Sequence, residues 1–372
     1  MKSSPLSPHE DALTVCTYCP SLCQHTCPVA TAEGSRSSTP WALMSLAHHV
    51  QTNRLRLDDA VAERFYHCAG CRACTRFCDH SNDVEQAMVA ARAFVVERAR
   101  LPFPKAALQP PGADERDPWW QGHSGKGFAD RFQGDPAVLL LPGHKSLIQD
   151  ARLVAQFLEI CGMADDDEIA CSEASTLDVG YDLWSAGLHE DFRKQARAVR
   201  ESLRGASHVV VMSPEALYTL RDVYPRFGMR IAAELHHASE FLLRFVGGVD
   251  LYPVEGRVAY HDACHLARHL GTMDVPREIL RSVLAAPPIE LRHREAQTVC
   301  CGGTGCLPVT CLETSKGMAE GVIQLALQAG AERLATFAAE CVPSLQAAAD
   351  GRLQVVHGME LVHEALRGHD GA

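Results

Sequence analysis

Residues 68–78 read CAGCRACTRFC, a C-x2-C-x2-C-x3-C run, and residues 16–28 read CTYCPSLCQHTCP, a C-x2-C-x3-C-x3-C-P run. A [4Fe–4S] cube needs four thiolates, of which one tight loop supplies three and a distant cysteine the fourth. Two such runs predict two cubes. Residues 40–50, 57–65 and 84–100 have helical periodicity, so the sequence predicts that the cubes lie in a helical ferredoxin-like domain.

The ligands of the two cubes follow from a property of two-cluster ferredoxins, in which the fourth cysteine of each run serves the other cluster. This exchange gives a first cysteine set of Cys16, Cys19, Cys23 and Cys78 and a second cysteine set of Cys27, Cys68, Cys71 and Cys74. Cys23 comes one residue later than a ferredoxin run would place it. Zinc is the alternative metal, but its sites usually take two C-x2-C pairs, so the third and fourth cysteines of each run favour cubes.

The composition narrows the class of protein. The chain has 372 residues, of which 47% are hydrophobic, and a net charge of -11 without a basic block, which argues against a nucleic-acid partner. Residues 1–11 lack the apolar region of a signal peptide, and no run approaches the roughly 18 apolar residues of a membrane span. We expect a cytoplasmic protein, peripheral at most at the inner face of the membrane, whose clustered cysteines bind metal.

The order of patterns predicts an α + α/β protein. Residues 1–100 form the helical ferredoxin-like domain, and residues 101–136, rich in proline and glycine, form a linker. Its Trp119 and Trp120 are expected to pack onto the protein's own domains; the alternative is docking onto a neighbouring surface or a lipid interface. Apolar strands then alternate with helices in two halves, 137–246 and 247–372, which repeat at an offset of about 120 to 128 residues. The sequence therefore predicts a duplicated α/β domain.

A second group of cysteines falls in the second half. Cys264, the adjacent pair Cys300 and Cys301, and Cys341 lie at or just after the carboxyl ends of predicted strands, where open α/β sheets build their sites. Adjacent cysteines point in different directions, so the pair can bind or bridge two irons. These four residues are the candidate ligands of a third iron–sulfur or zinc centre.

With YHDACH ahead of it and CCGG in the middle, this arrangement resembles the CCG domain of heterodisulfide reductase. The whole layout resembles the D-type subunit of heterodisulfide reductase and, equally, the iron–sulfur subunits of anaerobic glycerol-3-phosphate dehydrogenase and of glycolate oxidase. The resemblance implies an iron–sulfur assembly on the CCG cysteines. Its fifth position is Ser344, a costlier metal ligand than a thiolate, and Cys306 and Cys311 are extra thiols that could replace it or simply be buried.

The first half lacks every thiol of the pattern. We interpret it as a degenerate CCG-like scaffold that covers or positions the second half; the alternative is a different metal or proton-handling site at His144 and Asp178. Cys161 and Cys171 fall outside the motif and are expected to be structural. The positions that correspond to the cysteines and glycine of the pattern are His144, Asp178, Val179, Gly180, Ser213 and Ala216.

Two functions remain open. In one, the chain is the electron-transfer subunit of an oxidoreductase complex, relaying electrons between a flavoprotein dehydrogenase and a quinone, thiol/disulfide or other acceptor, with a quinone-reactive membrane protein as a further partner. The chain has no G-x-G-x-x-G motif, so FAD would sit on the flavoprotein. In the other, it is a disulfide reductase with Cys300 and Cys301 as catalytic residues and His261 or His265 as proton donors. The third alternative is that the chain is a redox-sensing or structural protein.

Overall fold

The structure is a computed structural model that describes residues 4–108, 134–143, 151–163 and 168–367. Most of the predicted linker, including Trp119 and Trp120, and also His144 lie outside the described residues. Within the described part, no helix is long and apolar enough to cross a membrane.

The N-terminal module consists of short helices that begin at clear capping residues. The side chains of Thr39, Asp58 and Asp83 each accept a hydrogen bond from a backbone N–H in the first turn of the following helix. The helices are α1 (Glu10–Tyr18), α2 (Pro28–Glu33), α3 (Pro40–Gln51), α4 (Asp59–Arg64), α5 (Ala73–Arg76) and α6 (Val84–Val96).

The first α/β half contains a parallel sheet with the strand order β2-β1-β3-β4. Its strands are β1 (Val138–Leu141), β2 (Ile169–Ala170), β3 (His208–Val211) and β4 (Glu234–His237). Its helices are α7 (Ala151–Met163), α8 (Tyr181–Ser185), α9 (His189–Ser202), α10 (Pro214–Tyr218) and α11 (Ala238–Val246). Helices therefore connect parallel strands, as a βαβ pattern requires.

The second half repeats this topology, with the strand order β6-β5-β7-β8. Its strands are β5 (Val258–Tyr260), β6 (Ile289–Glu290), β7 (Arg333–Thr336) and β8 (Gln354–His357). Its helices are α12 (Asp274–Val283), α13 (Leu307–Thr310), α14 (Leu312–Gln328), α15 (Val342–Ala349) and α16 (Gly358–Arg367). The identical strand order shows that the two halves share one fold, and the predicted α + α/β class is confirmed.

The side chains of β1 alternate between two hydrophobic clusters. In β1, Val138 and Leu140 join the hydrophobic cluster of the second half, whereas Leu139 and Leu141 join the cluster of the N-terminal helices. Because successive strand residues point to opposite faces, the first sheet is packed on both sides. Cys161 and Cys171 are buried in the former cluster, as expected of structural cysteines.

Candidate metal centres

The second cysteine set lines a cavity. Cys27 enters from the N-terminus of α2, and Cys68, Cys71 and Cys74 come from the loop and first turn of α5; all four line the cavity. Burial raises the pKa of Cys27 to about 12 and that of Cys68 to about 11. Thiolates are therefore disfavoured there unless a bound cation compensates for the lost solvation.

The first cysteine set lies nearer the surface. Cys16 lies close enough to Cys19, Cys23 and Cys78 for their charges to interact, and all four are only partly buried. Burial raises the pKa of Cys16 to about 11, although the Nδ2 of Asn82, 3.2 Å from its Sγ, donates a hydrogen bond that opposes the shift. The structure thus brings together the four cysteines that the sequence assigned to one cube.

Both sets fit a metal cluster. All eight thiols are free, and the four cysteines of each set lie near one another, with the second set lining one cavity. Four thiols around one point are the ligand set of a [4Fe–4S] cluster, which supplies one-electron transfer when bound.

The cysteines of the second half form a continuous thiol array. The Sγ atoms of Cys264 and Cys300 lie 3.7 Å apart. Cys300 also makes a sulfur contact with Cys301, and Cys301 makes one with Cys341. All four are buried. Cys264 follows β5, Cys300 and Cys301 lie in the loop after β6, and Cys341 follows β7, so the array lies at the carboxyl edge of this sheet.

Positive and polar groups surround the thiol array. The hydrogen bond from Cys300 lowers the pKa of Cys264 to about 5, and the charge of Arg268 acts in the same direction. Arg268 donates to the carbonyls of Cys71 and Thr298, and its buried Nη2 has no hydrogen-bond partner within the described residues; neither has the Nδ1 of His261. An unpartnered guanidinium N–H beside thiols suits an anionic cluster, so the residues present fit an iron–sulfur centre.

The thiol array touches the second cysteine set. Cys71 shares a hydrogen bond with Cys300, which lowers the pKa of the Cys71 thiol to about 6. Both residues belong to one small apolar cluster that also contains Cys264 and Met318. No bulk solvent separates the two groups of thiols.

A buried polar network runs behind this contact. The carboxylate of Glu85 in α6 lies 3.2 Å from the Nε2 of His269 and 2.8 Å from the Nε of Arg72. The positive charge and hydrogen bond of His269 hold the pKa of Glu85 at about 2, although burial opposes them. The Nδ1 of His265 lies 3.9 Å from the Sγ of Cys264, and its Nε2 lies 3.0 Å from the hydroxyl oxygen of Tyr181.

The remaining predicted positions fall outside the thiol array. Cys306 lies near Arg92, and the Sγ of Cys311 lies 3.8 Å from the carbonyl of Tyr66. Ser344 faces the CCG loop, because a Cβ placed on Gly303 would lie 2.8 Å from its Oγ.

In the first half, the positions that correspond to cysteines have structural roles. The Oδ1 of Asp178 accepts a hydrogen bond from the N–H of Gly180 at 2.6 Å, and the Oγ of Ser213 caps α10 by accepting from the N–H of Ala216. Ser213 also bonds to Glu340, which directly precedes Cys341. The first half therefore contacts the loop that carries one of the candidate ligands.

Sequence reasoning missed Glu85, Arg92 and Arg268. Arg92 is buried in α6 and donates to the carbonyls of Phe65, Cys68 and Ser185 at 2.6–2.8 Å. A signal existed, because Glu85 and Arg92 are the charged residues of a mostly apolar helix. Their partners could not be found that way, since they come from distant parts of the chain.

Comparison with known families identifies two parts of the chain. Residues 12–82 match the family model of a 4Fe-4S dicluster domain, and residues 258–346 match that of a cysteine-rich (CCG) domain. The two matches contain both cysteine sets and the thiol array. The dicluster domain implies two [4Fe–4S] clusters, as the sequence predicted.

Three curated relatives are oxidoreductases or their subunits. The D-type subunit of the heterodisulfide reductase of Methanosarcina mazei is 25% identical, over 80% of this chain and 77% of the relative. A subunit of the fumarate reductase (CoM/CoB) of Methanothermobacter marburgensis is 36% identical, but over only 28% of this chain and 21% of the relative. The EtfAB:quinone oxidoreductase of Syntrophomonas wolfei is 24% identical, over 68% of this chain and 38% of the relative.

The overall fold has a counterpart among solved structures. A hypothetical protein from Helicobacter pylori has a TM-score of 0.53 and 9% identity, over 98% of this chain and 76% of the other. At this identity the likeness concerns the fold alone. The family matches and the similarity to the D-type subunit of heterodisulfide reductase confirm the resemblance predicted from the motifs, because the chain joins a 4Fe-4S dicluster domain to a cysteine-rich CCG domain.

Proposed function

We propose that the chain is the iron–sulfur electron-transfer subunit of an oxidoreductase complex, relaying electrons between a flavoprotein dehydrogenase and a quinone, thiol/disulfide or other acceptor. The contact between Cys71 and Cys300 carries this proposal, because it joins the second cysteine set to the thiol array without intervening solvent. Cys74 also lies close enough to Cys23 for their charges to interact. The three groups of thiols therefore form a line from the surface to the interior.

The first cysteine set is the end of this line that a partner can reach. Tyr18, Leu22 and Phe77 are 72%, 58% and 39% exposed, and each directly precedes a cysteine of this set. An apolar surface around a partly buried redox site suits a protein partner. We propose that the flavoprotein, which holds the FAD, docks here, and that a membrane-associated quinone-reactive partner contacts the complex elsewhere.

The thiol array is the inner end of the line. We propose Cys264, Cys300, Cys301 and Cys341 as ligands of a third iron–sulfur centre, and the first and second cysteine sets as ligands of the two cubes. Arg268 supports this assignment, because its guanidinium bridges the loop of Cys71 and the loop that precedes Cys300.

The second candidate function is disulfide reduction at the thiol array, with Cys300 and Cys301 as catalytic residues. The hydrogen bond from Cys300 lowers the pKa of Cys301, which favours this function, since a thiolate attacks disulfides and a thiol does not. Ser344 and the absence of motif cysteines from the first half argue against it. Reduction of a disulfide by the isolated reduced protein, without a partner acceptor, would favour this function over the relay.

The relay is tested by replacing Cys300 and Cys301 with alanine in the anaerobically purified protein. We expect about eight irons per chain to remain for the two cubes, with any further iron lost and electron transfer from a co-purifying flavoprotein to its acceptor abolished. Cys161→Ala, a buried cysteine outside the motifs, is the matched control. Unchanged transfer in the double variant would remove the thiol array from the route, and zinc in place of iron would contradict the relay altogether.

A further inference from the structure

A group of metal-binding side chains lies on the first sheet, outside both family matches. His208 begins β3, and Glu234, its neighbour in the parallel register, begins β4. His236 follows Glu234 by two residues, so all three side chains project from the same face. His208 and Glu234 lie at the amino ends of their strands, and the residue numbers of all three fall between the two matched domains, 12–82 and 258–346.

The three ligand atoms have the spacing of a zinc site. The Nδ1 of His208 lies 3.3 Å from the Nε2 of His236, and the Oε2 of Glu234 lies 3.6 and 3.7 Å from these two nitrogens. The point equidistant from the corners of such a triangle lies about 2.0 Å from each. Zinc binds histidine nitrogen and carboxylate oxygen at about 2.0–2.2 Å, so the side chains need not move to hold the ion.

The surroundings support a metal rather than a hydrogen-bonded cluster. The Oε2 of Glu240 lies 3.7 Å from the Nδ1 of His236, the ring nitrogen that faces away from the site. A carboxylate on that side of a metal-binding histidine helps to orient the ring so that its other nitrogen faces the ion. The side chains of His208 and Glu234 are 43% and 73% exposed, which leaves room for water as a fourth ligand.

We propose that His208, Glu234 and His236 bind one Zn²⁺ ion. β4 is the edge strand of its sheet and pairs only with β3 within the described residues. An ion held by one ligand from β3 and two from β4 ties this edge strand to its neighbour. The site is structural and independent of the proposed electron transfer, since none of its residues belongs to the cysteine sets or the thiol array.

The test uses the cluster-loaded protein, incubated with Zn²⁺ alone and desalted, and compares it with a His208→Ala/His236→Ala double variant. Zinc X-ray absorption distinguishes nitrogen and oxygen ligands near 2.0 Å from thiolates near 2.3 Å. We expect one zinc per chain with a nitrogen and oxygen shell, and loss of that ion in the double variant at unchanged iron and sulfide content. His293→Ala, which removes an exposed histidine elsewhere, should leave the zinc in place.

A second variant guards against misfolding of the first. Glu234→Gln alters a side chain that is 73% exposed and should weaken Zn²⁺ binding at least tenfold without changing the iron content. Zinc that remains equally tightly bound in both variants, or that is coordinated only by sulfur, would overturn the proposal.

Discussion

The two α/β halves have the same strand order but different chemistry at the carboxyl edge of the sheet. In the second half this edge carries four buried thiols, whereas in the first it carries Asp178, Ser213 and other groups that form turns and helix caps. Even the turn glycine is retained, because Gly180 and Gly302 both have positive φ angles, +84° and +77°. The two halves thus share the backbone turn at this edge, but the motif cysteines are present in the second half only.

The first half has a different task, which is to hold the N-terminal module. The hydroxyl of Tyr66 donates to the carbonyl of Ala186 at 3.1 Å, and Arg92 donates to that of Ser185 at 2.7 Å. The backbones approach so closely that a Cβ on Gly187 would lie 2.3 Å from the nitrogen of Ala93. The half without the motif cysteines therefore positions the module that carries the cubes.

The largest effect is expected where this docking depends on one residue. Arg92→Met keeps the length of the side chain but leaves the buried carbonyls of Phe65, Cys68 and Ser185 without their donor. The loss should lower the free energy of unfolding by about 3–5 kcal/mol and reduce the iron content, measured by thermal unfolding and iron analysis. Arg98→Met, an exposed position just after the same helix, is the control and should cost under about 0.5 kcal/mol.

An Arg92→Met protein as stable as the wild type would mean that the first half does not hold the module through this residue. The division of labour between the halves would then rest on apolar packing alone.

A smaller effect separates the two turn glycines. Alanine at either position must adopt a positive φ, which costs about 1 kcal/mol. At Gly302 the new Cβ would also lie 2.9 Å from the backbone oxygen of Ser315, whereas at Gly180 its nearest neighbour is the ring of Phe192 at 3.1 Å. We expect Gly302→Ala to destabilise the protein by about 1–2 kcal/mol more than Gly180→Ala. Equal losses in thermal unfolding would show that the CCG turn is no tighter than its counterpart.

Much of this comparison could be predicted from the sequence. Cysteine spacing gave both cysteine sets, and the placement of cysteines after strands gave the carboxyl edge of the second half. The contact of Cys71 with Cys300 could not be predicted, because it depends on how two domains dock. The group of His208, Glu234 and His236 depends on the register of two parallel strands, which the apolar pattern of each strand leaves undetermined.

Replacing Ser344, at the fifth position of the motif, is expected to change the iron content of the protein rather than its stability. Ser344→Cys places a thiol opposite Gly303, facing the CCG loop, and should raise the iron bound beyond the two cubes, because a thiolate binds metal far better than an alkoxide. Ala216→Cys, at the corresponding position of the first half, is the matched control and should bind no additional iron. Identical iron content in the two variants would mean that Ser344 does not face the metal.

The smallest expected effect on stability concerns His189, at the start of the longer helix of the first half. α9 of the first half begins at His189, whereas α14 of the second half begins at Leu312. Burial, with a smaller contribution from the charge of Arg193, lowers the pKa of His189 from 6.5 to about 4. The unfolded chain therefore takes up a proton first as the pH falls below about 6.5, so folding loses stability between that pH and about 4.

His189→Gln removes this protonation while keeping a polar side chain of similar size. At pH 7 the variant should be no more stable than the wild type, but on acidification to pH 5.5 it should lose about 1 kcal/mol less. The measurement compares the thermal midpoints of both proteins at the two pH values, and the exposed His293→Ala serves as control. Parallel pH dependence in variant and wild type would mean that His189 is protonated as easily in the folded first half as in the unfolded chain.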